Sequence, residues 1–185
     1  ATGGMSVVYK ATWHGQDVAV KQPDISSTSA FEREVKCMEK MGACAYIVGL
    51  YGVESFSIVI EYMPQGSLDK ILYSKRPDPR IFDPNWCIQV GCNIALGLNH
   101  MHECGIVHRD IKSSNVLVSW ENGHTRVKLA DFGVTMFEGD KTQKLTGTIR
   151  WLPPEVLENE ENPIYTRKTD MYSFGVVVWE ITSHR

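Results

Sequence analysis

His108-Arg109-Asp110-Ile111-Lys112-Ser113-Ser114-Asn115-Val116-Leu117 is the stretch on which the reading of this chain turns. It sets a carboxylate, a cation and an amide inside one short polar segment and runs at once into apolar residues. A loop so equipped can hold a base near a hydroxyl, a positive charge near a phosphate and an oxygen ligand near a metal. Its flanks decide whether it is used that way.

Upstream, residues 86–102 carry apolar side chains at Ile88, Cys92, Ala95, Leu98 and Met101, every three or four positions, which predicts a long amphipathic helix leading into the loop. Downstream, 116–118 and 127–129 flank Asn122-Gly123, the pattern of a β-hairpin. Asp131-Phe132-Gly133 ends that hairpin. A polar segment follows over 134–149, bearing threonines but no serine or tyrosine, and Trp151-Leu152-Pro153-Pro154-Glu155 closes it. Residues 171–181 are strongly apolar, yet too short for a bilayer and interrupted by Ser173 and Glu180, so they predict a buried core helix.

Toward the N-terminus the pattern changes to strands. Gly3-Gly4-Met5-Ser6 runs into the β-branched and aromatic residues 7–9; alone this reads as an ordinary hairpin turn, although glycines there also let backbone amides approach an anion. In Val18-Ala19-Val20-Lys21, alternation puts the valines on one face and Ala19 with Lys21 on the other. Ser29-x-x-Glu32 has capping-box spacing, with Ser26 a further cap candidate, before a helix whose buried stripe is Phe31, Val35 and Met38. Glu34 stands on or beside that stripe. A carboxylate there wants a cation, either Lys21 or, at the rim, Lys36 or Arg33. Residues 47–53 and 57–60 predict two more strands, and the Pro and Gly of Glu61-Tyr62-Met63-Pro64-Gln65-Gly66-Ser67 predict a hinge before a short helix at 68–73.

The 185 residues suffice for one domain or two small lobes with a real core. A net charge of -3 gives no reason to expect a nucleic acid as partner. Five cysteines without a Cys-x-x-Cys pair read as reduced thiols of a cytoplasmic protein, and neither a zinc site, a signal peptide nor a membrane segment is visible.

Together these pieces resemble the eukaryotic protein kinase family along essentially the whole chain. The family's Gly-rich loop, Val-Ala-x-Lys strand, His-Arg-Asp loop with Asn, Asp-Phe-Gly and Pro-Glu closure occur here in order. The resemblance implies an α+β, two-lobed fold: a small antiparallel β lobe with one helix over 1–62, hinged to a mainly helical lobe over 63–185. It implies ATP and Mg²⁺, with Mn²⁺ as a substitute. Lys21 would hold the α- and β-phosphates, oriented by Glu34. Asp131 and Asn115 would bind the metals, Asp110 would orient the attacking hydroxyl, and Lys112 would neutralise the γ-phosphate. Gly3, Gly4 and Ser6 would line the phosphates. Val8, Ala19 and Leu117 would enclose the adenine, with backbone contacts from Glu61 and Met63 and Ile60 as gatekeeper. Met38, Leu50, Phe132 and His108 would form the stack that aligns Glu34, with Asp170 bonding the His108 and Arg109 backbone.

Lys112 and Thr148 look Ser/Thr-directed, whereas Arg150-Trp151 and Asp170-Met171-Tyr172-Ser173-Phe174-Gly175 look tyrosine-kinase-like. That blend is similar to the tyrosine-kinase-like group, which includes Raf and the mixed-lineage kinases. The implied function is transfer of the γ-phosphoryl group to Ser/Thr of a protein substrate. Arg109 implies control by an activating kinase or trans-autophosphorylation at Thr142 or Thr146, while Thr148 would bond Asp110 and Lys112. Ala1, Ser6 and Pro153 depart from the family's Gly, Gly and Ala. Family members continue past the position of Arg185 with helices that pair an arginine with Glu155, so the resemblance implies an incomplete helical lobe, exposed apolar faces at 176–181 and, for this segment alone, poor solubility or oligomerisation. Two alternatives remain at this level: a pseudokinase-type binding or scaffolding module, and tyrosine or dual specificity.

Overall fold

The computed structural model describes residues 6–22, 28–121, 123–141 and 144–183. Gly3, Gly4, the cap candidate Ser26 and Thr142 lie outside the described residues. The elements in chain order are β1 (Val7–Trp13), β2 (Gln16–Gln22), α1 (Thr28–Met41), β3 (Leu50–Glu54), β4 (Ser57–Glu61), β5 (Gly66–Ser67), α2 (Leu68–Leu72) and α3 (Pro84–Glu103). There follow β6 (Ile106–Val107), β7 (Val116–Glu121), β8 (His124–Leu129), β9 (Met136–Phe137), α4 (Pro154–Leu157) and α5 (Arg167–Ser183).

The first four strands form one antiparallel sheet in the order β1-β2-β4-β3. Val18 and Val20 bury one side of it against Val59, as strand alternation requires. Helix α1 begins at Thr28, so Ser29 lies in its first turn instead of capping it. Its inward side buries Phe31, Glu34, Cys37, Met38 and Met41. The strand anticipated from residue 47 starts at Leu50. Ile47 instead bridges in parallel to Leu129, and the Val48 amide donates to the Leu129 carbonyl at 3.0 Å. The approach to β3 is thereby pinned to β8, a partner remote in sequence.

Helix α3 starts at Pro84, with the Asp83 carboxylate accepting from the Asn85 amide at 2.9 Å. Its buried side is Trp86, Val90, Ile94, Gly97, Leu98 and Met101. Ile88, at 64% exposure, and Cys92 face outward, contrary to the stripe read from the sequence. At 100° per residue, Ile88 stands about 160–200° around the helix from both Trp86 and Val90, so one side cannot bury all three. One hydrophobic core runs from Phe31 and Met38 through Ile58, α3, β7 and β8 to Val177 and Ile181 of α5. A second gathers Val107, Met136, Leu152, Val156 and Tyr165 beneath the segment that follows β9.

On α5, Val177 and Ile181 are buried while Met171, Tyr172 and Trp179 are exposed. The exposed apolar side of this helix thus lies on those three residues and not along the whole of 176–181. Glu155 is exposed in the first turn of α4. No helix among the described residues is long and apolar enough to cross a membrane.

Candidate active site

The inward side of α1 delivers Glu34 to Lys21 of β2, Nζ to Oε1 at 2.6 Å, and both side chains are buried. The pairing with Lys21 is the one that forms. Lys36, its rim competitor, lies with Lys40 over the Phe137 ring, 5.7 and 4.8 Å from its centroid. Lys21 also meets Asp131 Oδ1 at 2.7 Å, across an interval of 110 residues. Burial alone would lower the Lys21 ammonium, but Asp131 and Glu34 outweigh it and hold it above the usual lysine range. Burial dominates at Glu34, whose carboxyl is raised despite Lys21. At Asp131 burial also pushes upward, yet the Lys21 charge prevails and the carboxyl is lowered. Half of the Asp131 side chain stays accessible, so this carboxylate can meet both Lys21 and a second cation.

The opening loop folds on buried anchors. Asp170 of α5 accepts from the His108 and Arg109 amides at 2.9 Å each, and from His102 Nε2 at 2.8 Å. Arg109 and Asp131 hold φ of 69° and 63°, a left-handed conformation that non-glycine residues keep only when their surroundings enforce it. The His108 ring reaches the Ala130 carbonyl at 3.1 Å and packs edge-on against Phe132. Met38 and Phe132 belong to the main core and Leu50 packs against it, while of the four residues anticipated as a stack the direct contact seen is that of the His108 ring with Phe132.

Beyond these anchors the reactive side chains converge. Thr148 Oγ donates to Asp110 Oδ1 at 2.7 Å and accepts from Lys112 Nζ at 2.8 Å, and Lys112 meets Asp110 Oδ2 at 2.7 Å. Gly147 makes this closure possible. It holds φ of +103°, and a Cβ there would stand 2.4 Å from the Arg109 carbonyl oxygen. Asn115 Nδ2 donates to the Asp110 carbonyl at 2.8 Å and to Asp110 Oδ2 at 3.1 Å. With its amide nitrogen so committed, Asn115 keeps Oδ1 as an acceptor. Asp131 and Asn115 thus offer a hard, oxygen-only donor pair. Among the described residues no three His, Cys, Asp or Glu side chains cluster, and two oxygen ligands suit Mg²⁺ that shares its coordination with phosphates.

The residues anticipated around a nucleotide occupy the adjoining strands. Ser6 precedes β1, where Val8 is exposed opposite Lys21 in the sheet register. Ala19 pairs with Ile60, Met63 is buried just past β4, and Leu117 is half-buried on β7. Glu61 does more than its position in the chain suggested. Its carboxylate accepts from Lys128 Nζ at 2.6 Å, Arg126 Nη2 at 2.9 Å and the Gly49 amide at 3.2 Å, tying the end of β4 to β8.

Sequence reasoning missed Tyr165 and Glu180. The Tyr165 hydroxyl brackets Thr146, accepting from its amide at 2.7 Å and donating to its carbonyl at 2.6 Å. Its ring lies 5.1 Å from the Arg109 guanidinium, whose Nε donates to the Val134 carbonyl. Nothing in the local pattern marks this tyrosine. Glu180 had a signal, a carboxylate inside an apolar run, which bore only on whether the run could cross a membrane.

A β-rich lobe and a helical lobe that bring a lysine, paired carboxylates and an Asp-Lys-Asn loop together define a two-lobed kinase fold. The family model described as protein tyrosine and serine/threonine kinase matches residues 1–185. The chain is 34% identical over 194 residues to serine/threonine-protein kinase CTR1 of Arabidopsis thaliana, covering 98% of this chain and 23% of that protein. It is 34% identical over 187 residues to mitogen-activated protein kinase kinase kinase 12 of Rattus norvegicus (97% and 19%). To serine/threonine/tyrosine-protein kinase HT1 of Arabidopsis thaliana it is 32% identical over 197 residues (99% and 48%). The chain belongs to the protein kinase family, and these relatives are kinases of the tyrosine-kinase-like group. It spans from about a ninth to about half of the length of the curated relatives it matches.

Proposed function

We propose that the chain is the catalytic core of an ATP- and Mg²⁺-dependent protein serine/threonine kinase, with a small lobe over 1–62 and a helical lobe over 63–185. The observation that carries this is the closed arrangement of Asp110, Lys112 and Thr148, with contacts of 2.7–2.8 Å. A carboxylate and an ammonium side by side support a reading in which a hydroxyl and a phosphate meet there. The acceptor oxygen attacks the γ-phosphorus, the bond to the β-bridging oxygen breaks, ADP leaves, and Asp110 orients or takes the hydroxyl proton. Lys112 balances charge on the transferring group. Lys21, fixed by Glu34, binds the α- and β-phosphates. Bound through Asp131 and Asn115, the metal supplies charge neutralisation at the phosphates.

Lys112 and the name of serine/threonine-protein kinase CTR1 favour Ser/Thr over Tyr as acceptor, whereas the name of HT1 includes tyrosine. The buried Arg109 guanidinium is our candidate contact for phosphate on Thr142 or Thr146. The test is phosphate transfer from labelled ATP by the full-length protein, beside Lys21→Met and Asp110→Asn, with phosphoamino-acid analysis of the product. Each variant should lose about 100-fold or more. A wild type silent with Mg²⁺ and Mn²⁺, or variants equal to it, would leave a nucleotide-binding or scaffolding module in place of the enzyme.

A further inference from the structure

The turn between β3 and β4 is built against the preference of its own residues. Glu54 and Ser57 pair across it, so Ser55 and Phe56 alone make the turn, with φ of 45° and 65°. Two successive left-handed residues are what a two-residue hairpin demands, and asparagine followed by glycine supplies them at least cost. Elsewhere the chain follows that rule: the second turn residue is Gly15 between β1 and β2, at φ of 78°, and Gly123 between β7 and β8, at φ of 80°. Here the same position holds a phenylalanine, whose bulk makes that conformation a strained one.

What the strain secures is a contact. The Phe56 ring lies flat on the ring of Phe31 in α1, with centroids 4.6 Å apart and planes 15° from parallel. Phe31 is buried and Phe56 is 41% exposed, so the outer ring covers the inner one. The two rings belong to the two elements that make the Lys21–Glu34 pair. Phe31 and Glu34 stand three residues apart on the buried side of α1 and share a face. Phe56 stands two residues before Ile58, the cross-strand partner of Lys21. The stack therefore ties the helix of Glu34 to the sheet of Lys21, about one helical turn from the ion pair. That pair is a poor anchor by itself. Both side chains are buried, burial raises the Glu34 carboxyl despite Lys21, and a desolvated ion pair returns little beyond what its burial costs. Further along α1, Lys36 and Lys40 lie over Phe137, which ties that end of the helix to β9 and not to the sheet.

We propose that Phe56 is a positioning residue for phosphoryl transfer: its ring, stacked on Phe31, holds α1 against the sheet at the rotation that brings Glu34 to Lys21. This rests on the kinase reading above. A backbone held out of its preferred region persists where the surroundings gain from it, and here the gain is a helix fixed on the nucleotide side of the reaction. A stacked aromatic pair shifts an equilibrium between a docked and a displaced helix by about two- to tenfold. Phe56 acts through α1 alone and touches neither phosphate nor acceptor, so its removal weakens the use of ATP and spares the acceptor.

The test compares full-length wild type with Phe56→Gly, Phe56→Tyr, Phe31→Leu and the double variant of Phe31→Leu with Phe56→Gly, varying ATP and acceptor separately. The acceptor is whichever of casein and myelin basic protein the wild type phosphorylates. Phe56→Gly keeps the turn and removes the ring; it should lower kcat/KM for ATP about fivefold and leave KM for the acceptor within about twofold. Phe56→Tyr keeps the ring and should stay within about twofold of wild type in both. The double variant should be no worse than the poorer single by more than about twofold, because the two rings act as a unit. A folded Phe56→Gly equal to wild type overturns the proposal, as does a loss shared by Phe56→Tyr, an equal effect on the acceptor or a multiplicative double. Should Phe56→Gly fail to fold, Phe56→Leu decides by the same readouts, since it keeps an apolar side chain and loses the stack. A wild type that phosphorylates neither protein removes the kinase reading and this proposal with it.

Discussion

Gly147→Ala is the substitution whose consequence the geometry states most sharply. The new Cβ would lie 2.4 Å from the Arg109 carbonyl oxygen and 3.0 Å from Leu152 Cδ2, against a backbone φ of +103°. Ordinary contact begins at 3.4 Å, so something must move by about 1 Å. The left-handed backbone costs an alanine about 1–2 kcal/mol, and forcing the methyl into packed backbone adds about 1–3 kcal/mol. Arg109 cannot yield, because Asp170 holds its amide at 2.9 Å from within α5. The movement therefore falls on residue 147 and on Thr148 beside it, whose bonds to Asp110 and Lys112 are 2.7 and 2.8 Å long. A displacement of about 1 Å in such a constellation lowers the rate about 100-fold. The assay is kcat/KM for phosphate transfer together with urea unfolding, using Gly139→Ala as reference. Gly139 also has positive φ, at +93°, but nothing lies within 4 Å of its added Cβ, so it reports backbone strain alone. Gly147→Ala should fall far below Gly139→Ala in activity, in stability, or in both. If the two variants agree within twofold in rate and about 0.5 kcal/mol in stability, the close approach of Gly147 to the loop is not what closes the site.

Three further outcomes follow from buried groups. Asp170→Asn keeps the shape but cannot accept from both amides and His102, and should destabilise the chain by about 2–4 kcal/mol, read as a lower urea midpoint with unchanged slope. Glu34 is raised in the folded state, chiefly by burial, from an ordinary value of 4.5, so the folded chain takes up its proton before the unfolded chain does. Stability from this group therefore rises as pH falls toward 4.5: as the pH is lowered from neutrality toward that value wild type should gain on Glu34→Gln in urea unfolding, while losing nucleotide affinity as the Lys21 pair is neutralised. Gly97→Ala would bring a Cβ to 2.9 Å from the Tyr46 carbonyl and 3.0 Å from Leu129, and should lower Tm although alanine favours helix by about 1 kcal/mol.

The residue types of the site could be named from the sequence because each motif is local: Val-Ala-x-Lys alternates on a strand, and Asp110, Lys112 and Asn115 stand in one loop. What the residue pattern by itself left open was the partner of each charge, and for Glu34 it was the resemblance that pointed to Lys21. Glu34 had Lys21, Lys36 and Arg33 to choose from, and the choice is made by the buried side of α1 facing β2. Glu61 was read for its backbone, yet its side chain meets Arg126 and Lys128, more than sixty residues on. Ile47 looked like the start of a strand because its apolar neighbours continue into Leu50, but its bridge is to Leu129. Each of these pairings depends on where two distant elements come to rest, which no local period encodes.

Helix α5 shows most clearly why hydrophobic pattern alone misleads. Its sequence carries one polar stripe, Asp170, Ser173 and Glu180, among apolar residues spread around the remaining sides, so the rule that apolar residues go inside would turn it wrongly. Asp170, Ser173 and Glu180 point inward, while Met171, Tyr172 and Trp179, the last at 54% exposure, point outward. The inversion has a physical cause. The loop at 108–115 and the segment at 148–151 are irregular backbone packed against a core, and buried amides, hydroxyls and an indole need acceptors that no strand or helix of their own supplies. Asp170 takes two such amides, Ser173 gives a proton to the Trp151 carbonyl, and Glu180 takes the Ser113 hydroxyl and the Trp151 indole. The polar residues inside α5 are therefore the complement of the loop's unmet hydrogen bonds. An apolar α5 would leave those groups buried and unpaired, and the loop would lose the geometry on which its chemistry depends.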